Sequence, residues 1–88
     1  MQILNEVIAQ IERHPHGKSS RILAQAALSA CSDAFPGPPL IKVATALDRE
    51  NYHRYCRLAW IAYEPDFSNP DQDRAMRILK PYLGVTTA

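Results

Sequence analysis

Leu40-Ile41-Lys42-Val43-Ala44-Thr45-Ala46-Leu47 decides the fold class, because it is the stretch of the chain that fits two periodicities at once. Leu40, Ile41, Val43, Ala44 and Leu47 match the spacing of a short amphipathic helix, whereas Ile41, Val43, Thr45 and Leu47 match strand alternation. A strand must find a partner for its backbone donors and acceptors, and no other segment is a strand candidate that could pair with it. Helix is therefore the preferred reading. The expected fold is all-α, a compact bundle of four to five short helices with no sheet.

Toward the N-terminus the stretch is bounded by Phe35-Pro36-Gly37-Pro38-Pro39, where three prolines remove backbone donors and no helix can continue. Before that turn, Ile22, Leu23, Ala26, Ala27, Ala30 and Cys31 form a stripe of mainly small residues, with Ser19 or Ser20 available as the helix cap. Small side chains allow another helix to come close. The first helix is expected over Gln2 to Arg13, with Ile3, Leu4, Val7, Ile8 and Ile11 on one face and Pro15 and Gly17 as its stop.

Toward the C-terminus, Asp48 is placed to cap a helix running to about Tyr63, with Glu50 set against its N-terminal dipole and four residues before Arg54. Tyr52, Cys56, Ala59 and Tyr63 share the expected core face, flanked by Tyr55 and Trp60, and Leu58 and Ile61 fall on the far side. The segment Leu58–Tyr63 is then apolar nearly all round. Such a segment is either the central post of the bundle or partly a binding surface. A last helix begins at Asn69 as cap, with Pro70 in its first position and Gln72 in the capping-box position. Ala75, Ile78, Leu79 and Tyr82 supply its inward face, and Pro81 with Gly84 limits its length. Residues 1–84 read as one helical domain, and Val85 to Ala88 as a frayed, disordered tail.

Composition narrows the function classes. The 88 residues suffice for one modest core, and 47% apolar with 22% charged residues is ordinary for a globular chain. Ten Lys and Arg against nine Asp and Glu leave a net charge of +1, which supplies no general attraction to nucleic acid or to an anionic membrane. No apolar run is long enough to span a bilayer, and the first residues lack a signal-peptide pattern, so the expected location is cytoplasmic. Cys31 and Cys56 are too few for a disulfide scaffold and are expected as buried, reduced thiols, with a disulfide or a reactive thiol as the alternatives.

Motifs for chemistry are weak. Gly17-Lys18-Ser19 ends like a phosphate-binding loop, but Glu12 stands where the first glycine belongs and a helix precedes it in place of a strand. His14-x-His16 and His53-x-x-Cys56 are isolated pairs without the recurring spacing of a zinc site, and the Asp66–Asp73 stretch lacks the central glycine and closing glutamate of a calcium loop. No catalytic pattern is present. Neither an enzyme, a cofactor nor a metal is expected.

Two basic constellations remain. Unpaired N–H groups at the start of the second helix, with Arg13, His16, Lys18 and Arg21 around them, favour an anion. Arg54 and Arg57 beside Leu58 and Ile61 combine arginines with aliphatic anchors, a composition suited to a protein interface. Asp73 and Arg77, four apart, read as a surface pair. DNA recognition by a helix-turn-helix over Leu40–Tyr63 is the alternative; it is not favoured, because Asp48 and Glu50 stand at the end that would meet phosphates.

Gly17-Lys18-Ser19-Ser20-Arg21-Ile22-Leu23-Ala24-Gln25, with Leu47-Asp48 and the helix after it, resembles short uncharacterised helical proteins of proteobacterial genomes, phages and plasmids. Length, compactness and lack of active-site chemistry are also similar to phage-borne inhibitors of host defence, including anti-CRISPR proteins. The resemblance implies a stoichiometric protein-binding module that occludes a surface on a larger bacterial complex, as a monomer or homodimer. It carries no residue roles of its own.

Overall fold

Buried aliphatic side chains fall into one contiguous cluster drawn from helices at both ends of the chain, and this cluster sets the architecture. The structure is a computed structural model that describes residues 1–84. Along the chain come α1 (Gln2–Arg13), α2 (Lys18–Cys31), α3 (Leu40–Ala46), α4 (Arg49–Ala59), a 3-10 turn Ile61–Tyr63, α5 (Asn69–Leu79) and a second 3-10 turn Lys80–Leu83. Among the described residues there is no strand, and the all-α bundle expected from the sequence is what forms. Its radius of gyration is 11.8 Å, against about 12 Å for a compact domain of this length. The tail expected over 85–88 lies outside the described residues.

α1 has the bounds and the face that its spacing predicts: Ile3, Leu4, Val7, Ile8 and Ile11 are all buried. They pack on α2, which is the centre of the molecule. Leu23, Ala24, Ala27 and Leu28 have no exposed surface, and α2 touches α1, α3, α4, α5 and the closing 3-10 turn. Alanines at 24 and 27 let neighbouring backbones approach from more than one side, as close helix packing requires.

Of the two roles left open for Leu58–Tyr63, that of central post falls to α2 instead. The α-helix stops at Ala59, because Trp60 leaves helical geometry at φ −114°, ψ 37°, and the chain continues as a tighter turn. Leu58 and Ile61 point inward at 1% and 7% exposure, while Tyr52, Ala59 and Tyr63, assigned to the core by spacing, are exposed. Aliphatic side chains bury without leaving a polar atom unpaired, whereas each tyrosine keeps its hydroxyl in water by staying outside. α4 is thus rotated from the expected face toward Asn51, Tyr55 and Leu58.

Two helix starts also move. Gly17 is the N-cap of α2, and neither Ser19 nor Ser20 caps it; Ser19 Oγ instead donates to the Ala46 carbonyl of α3 at 3.2 Å. Ser68 caps α5 by accepting from the Asp71 N–H at 3.3 Å, one residue before the expected Asn69. The α4 cap is where the sequence places it, with Asp48 accepting from Asn51 N–H at 2.8 Å. α1 is latched to α5: the Met1 ammonium pairs with Asp71, and Arg74 reaches both Asp71 and Asn5 at 2.8 Å. Asp71–Arg74 is the ion pair of this helix, in place of the expected Asp73–Arg77.

Candidate protein-docking face

The arginine patch expected on α4 is dismantled by the fold. Arg57 Nη1 donates to Glu6 Oε2 at 2.7 Å, and its Nε and Nη2 donate to Glu64 Oε1 at 2.9 and 2.6 Å. One guanidinium thus ties α4 to α1 and to the loop before α5. The hydrogen bond to Glu64 is the main reason its acidity is driven still lower, with desolvation working against it and Glu6 adding to it. Arg54 Nη1 donates to Asn51 Oδ1 at 2.8 Å, and its Nε is buried without a partner. Leu58 and Ile61 lie in the core, so they are not surface anchors. Arg54, Arg57, Leu58 and Ile61 hold the fold together at this place.

What α4 and its continuation present outward is aromatic. Trp60 is 66% exposed and Tyr63 79%, with ring centroids 5.8 Å apart and planes at 52°. Three residues per turn bring positions i and i+3 of a 3-10 segment onto the same side, which accounts for the pairing of these two rings. Glu64, which follows Tyr63, is locked to Arg57, and Ile61 between the rings is buried; the aromatic pair stands on a firmly held turn. Tyr52 is also exposed and stacks with Tyr55 at 6.4 Å.

α3 contributes a second apolar display. It is a helix, the reading preferred for want of a second strand, yet only Val43 is buried, and Leu40 and Ile41 are 78% and 70% exposed. Between α3 and α4 lies an open cleft of about 550 Å³ lined by Val43, Ala44, Leu47, Asp48, Arg49, Tyr52 and His53. Periodicity put Tyr63 on the core face with Trp60 beside it and gave the surface role to Leu58 and Ile61, the reverse of their observed exposure, and it counted Leu40 and Ile41 in the apolar stripe of α3. The available signal was the surplus of large apolar residues over what one small core accommodates.

The cation constellation around α2 is partly assembled. His16 and Arg21 line a cleft of about 210 Å³ together with Ile11, Pro15, Gly17, Ser20 and Tyr82. Lys18 lies at the edge of a different cleft, beside Ile22, Gln25, Lys42, Thr45 and Ala46. Arg13 donates to Gln10 at 3.1 Å within its own helix. Ser20 was expected as a possible cap; it is buried, at 2% exposure, with no partner for its hydroxyl.

Cys31 and Cys56 are free and half-buried. Among the described residues no three His, Cys, Asp or Glu side chains group closely enough to hold a metal ion, and no helix is long and apolar enough to cross a membrane. In the α3–α4 unit, Asp48 stays committed to its cap and Glu50 is exposed beside it. No family model, curated protein or solved structure matches the chain. The functional reading rests on the molecule's own surface.

Proposed function

We propose that the protein works by stoichiometric binding to another protein, through the aromatic face built on Trp60 and Tyr63. The observation that carries this reading is the exposure of both rings on a turn held by Arg57, Glu64 and Ile61. Tryptophan and tyrosine are the side chains most often found as energetic anchors of interfaces, and rings already held in place lose little conformational freedom on docking. Leu40 and Ile41 add exposed aliphatic area on α3. The resemblance to phage-borne inhibitors makes a bacterial defence complex the partner class to test first, with occlusion of a working surface as the mode of action.

The test uses the single tryptophan as its own reporter. The intact protein is mixed with purified bacterial complexes, and Trp60 emission is followed beside the stoichiometry from sedimentation. A saturable blue shift at a fixed molar ratio is expected, lost in the Tyr63→Ala variant. Binding that survives Trp60→Ala together with Tyr63→Ala would remove this face from the interface.

A further inference from the structure

We propose a second site, independent of the aromatic face: the cleft at the start of α2 binds a phosphate dianion, free or as the monoester of a small molecule. α2 opens on Gly17 with no side-chain cap and no acid in its first turn. The first N–H of this end to find a carbonyl is that of Arg21, which donates to Gly17 at 3.2 Å. Among the described residues the N–H groups of Lys18, Ser19 and Ser20 have no acceptor. Three converging donors at the positive end of a 14-residue helix make a ready anion cradle.

A second observation, separate from the helix end, points to an occupant. Ser20 Oγ is buried in this turn without a partner, and a methyl group added at Gly17 would stand 3.7 Å from it. The hydroxyl therefore faces the glycine side of the cleft, where the absence of a side chain leaves it room. A buried hydroxyl left unpaired is desolvated without compensation, and a phosphate oxygen accepting from it would remove that cost. Arg21 and His16 line the same cleft and have no ion pair among the described residues. A guanidinium matches phosphate geometry through paired N–H donors.

The number of donors selects the ligand class. Three backbone N–H groups, a hydroxyl and a guanidinium exceed what the two oxygens of a carboxylate can accept, and they suit the three terminal oxygens of a phosphate. Ile11, Pro15 and Tyr82 form an apolar wall of the cleft, against which a small ester substituent can lie. Lys18, whose side chain belongs to the neighbouring cleft, adds charge nearby without lining the site.

Amide chemical shifts of the intact chain, followed while adding inorganic phosphate, phenyl phosphate or acetate, test the site. Saturable shifts centred on Lys18, Ser19 and Ser20 are expected for both phosphates and not for acetate. Tighter binding of phenyl phosphate identifies a monoester as the occupant, and equal binding identifies free phosphate. Arg21→Gln weakens binding by about tenfold or more, Ser20→Ala by about three- to tenfold, and Lys18→Gln by less than about twofold. Ser20→Ala removes an unpaired buried group, so the variant unfolds no earlier than the parent and its loss of affinity is not a loss of fold. Non-saturating shifts spread over all exposed cations would overturn the site. So would equal losses in the Arg21 and Lys18 variants, or undiminished binding by Ser20→Ala.

Discussion

Cys31 shows how far the bundle alters a single side chain. Burial, and secondarily the carboxylate of Asp73, push its thiol up to about 11. A thiol reacts as thiolate, so alkylation of Cys31 in the folded protein is expected to follow a pH profile with its midpoint near that value, whereas the unfolded chain titrates near the ordinary thiol value. The sign for stability follows. The folded state holds the thiol protonated, so stability is unaffected below the ordinary thiol value. It declines as pH rises from there through the folded value, by an amount that partial solvent exposure keeps small. Mass spectrometry of iodoacetamide adducts across pH measures the midpoint, and a profile centred near 9 would contradict the burial described.

At the scale of the element, α4 is where reading by periodicity and physical burial part company. α1 was legible because its stripe is wholly aliphatic: Ile3, Leu4, Val7, Ile8 and Ile11 have one favourable environment, and spacing locates it. α4 mixes tyrosines, a cysteine and a leucine, and a count of apolar letters gives Tyr52 and Leu58 the same weight although only Leu58 is free of polar atoms. The change from α-helix to 3-10 turn at Trp60 then alters the angular step, so a face projected past Ala59 is misplaced. Leu58→Ala is expected to cost about 2–5 kcal/mol, the usual range for emptying a packed leucine site, while Trp60→Ala stays within about 0.5 kcal/mol. Urea unfolding of the two variants compares them directly, and the reverse order would restore the face that spacing predicts. The α5 start was read to within one residue and the α2 start to within two or three, because nearby polar residues compete for the cap: Ser68 lies beside Asn69, and Gly17 precedes Ser19 and Ser20.

For the molecule as a whole, α2 carries the fold, and its small residues are the reason. Ala27 has no exposed surface at the centre of a helix surrounded by four others and a terminal turn. Ala27→Leu must push these elements apart and is expected to destabilise by about 1–3 kcal/mol or more, read as a lowered thermal midpoint with the helical circular dichroism retained below it. Tertiary assembly also explains what was legible of the sites. His16 and Arg21 are near each other in sequence and were found by it. Tyr82 reaches the same cleft from the far end of the chain, and no local pattern announces that meeting. Arg57 was read as an arginine open to a partner for the complementary reason, since Glu6, one of the two carboxylates that engage it, lies 51 residues away.

α3 stands apart from this solidarity. Its seven residues are too few to hold a helix unaided. It is fastened by Val43 and by the Ser19 bond to Ala46, and Val43 lies outside the contiguous core. Opening it would uncover almost none of the central packing, so it is the segment whose amides should exchange with solvent through local fluctuation while the other helices wait for global unfolding. A partner that grips Leu40 and Ile41 would therefore meet a pliant element beside a rigid aromatic pair, and could remodel the first while registering on the second.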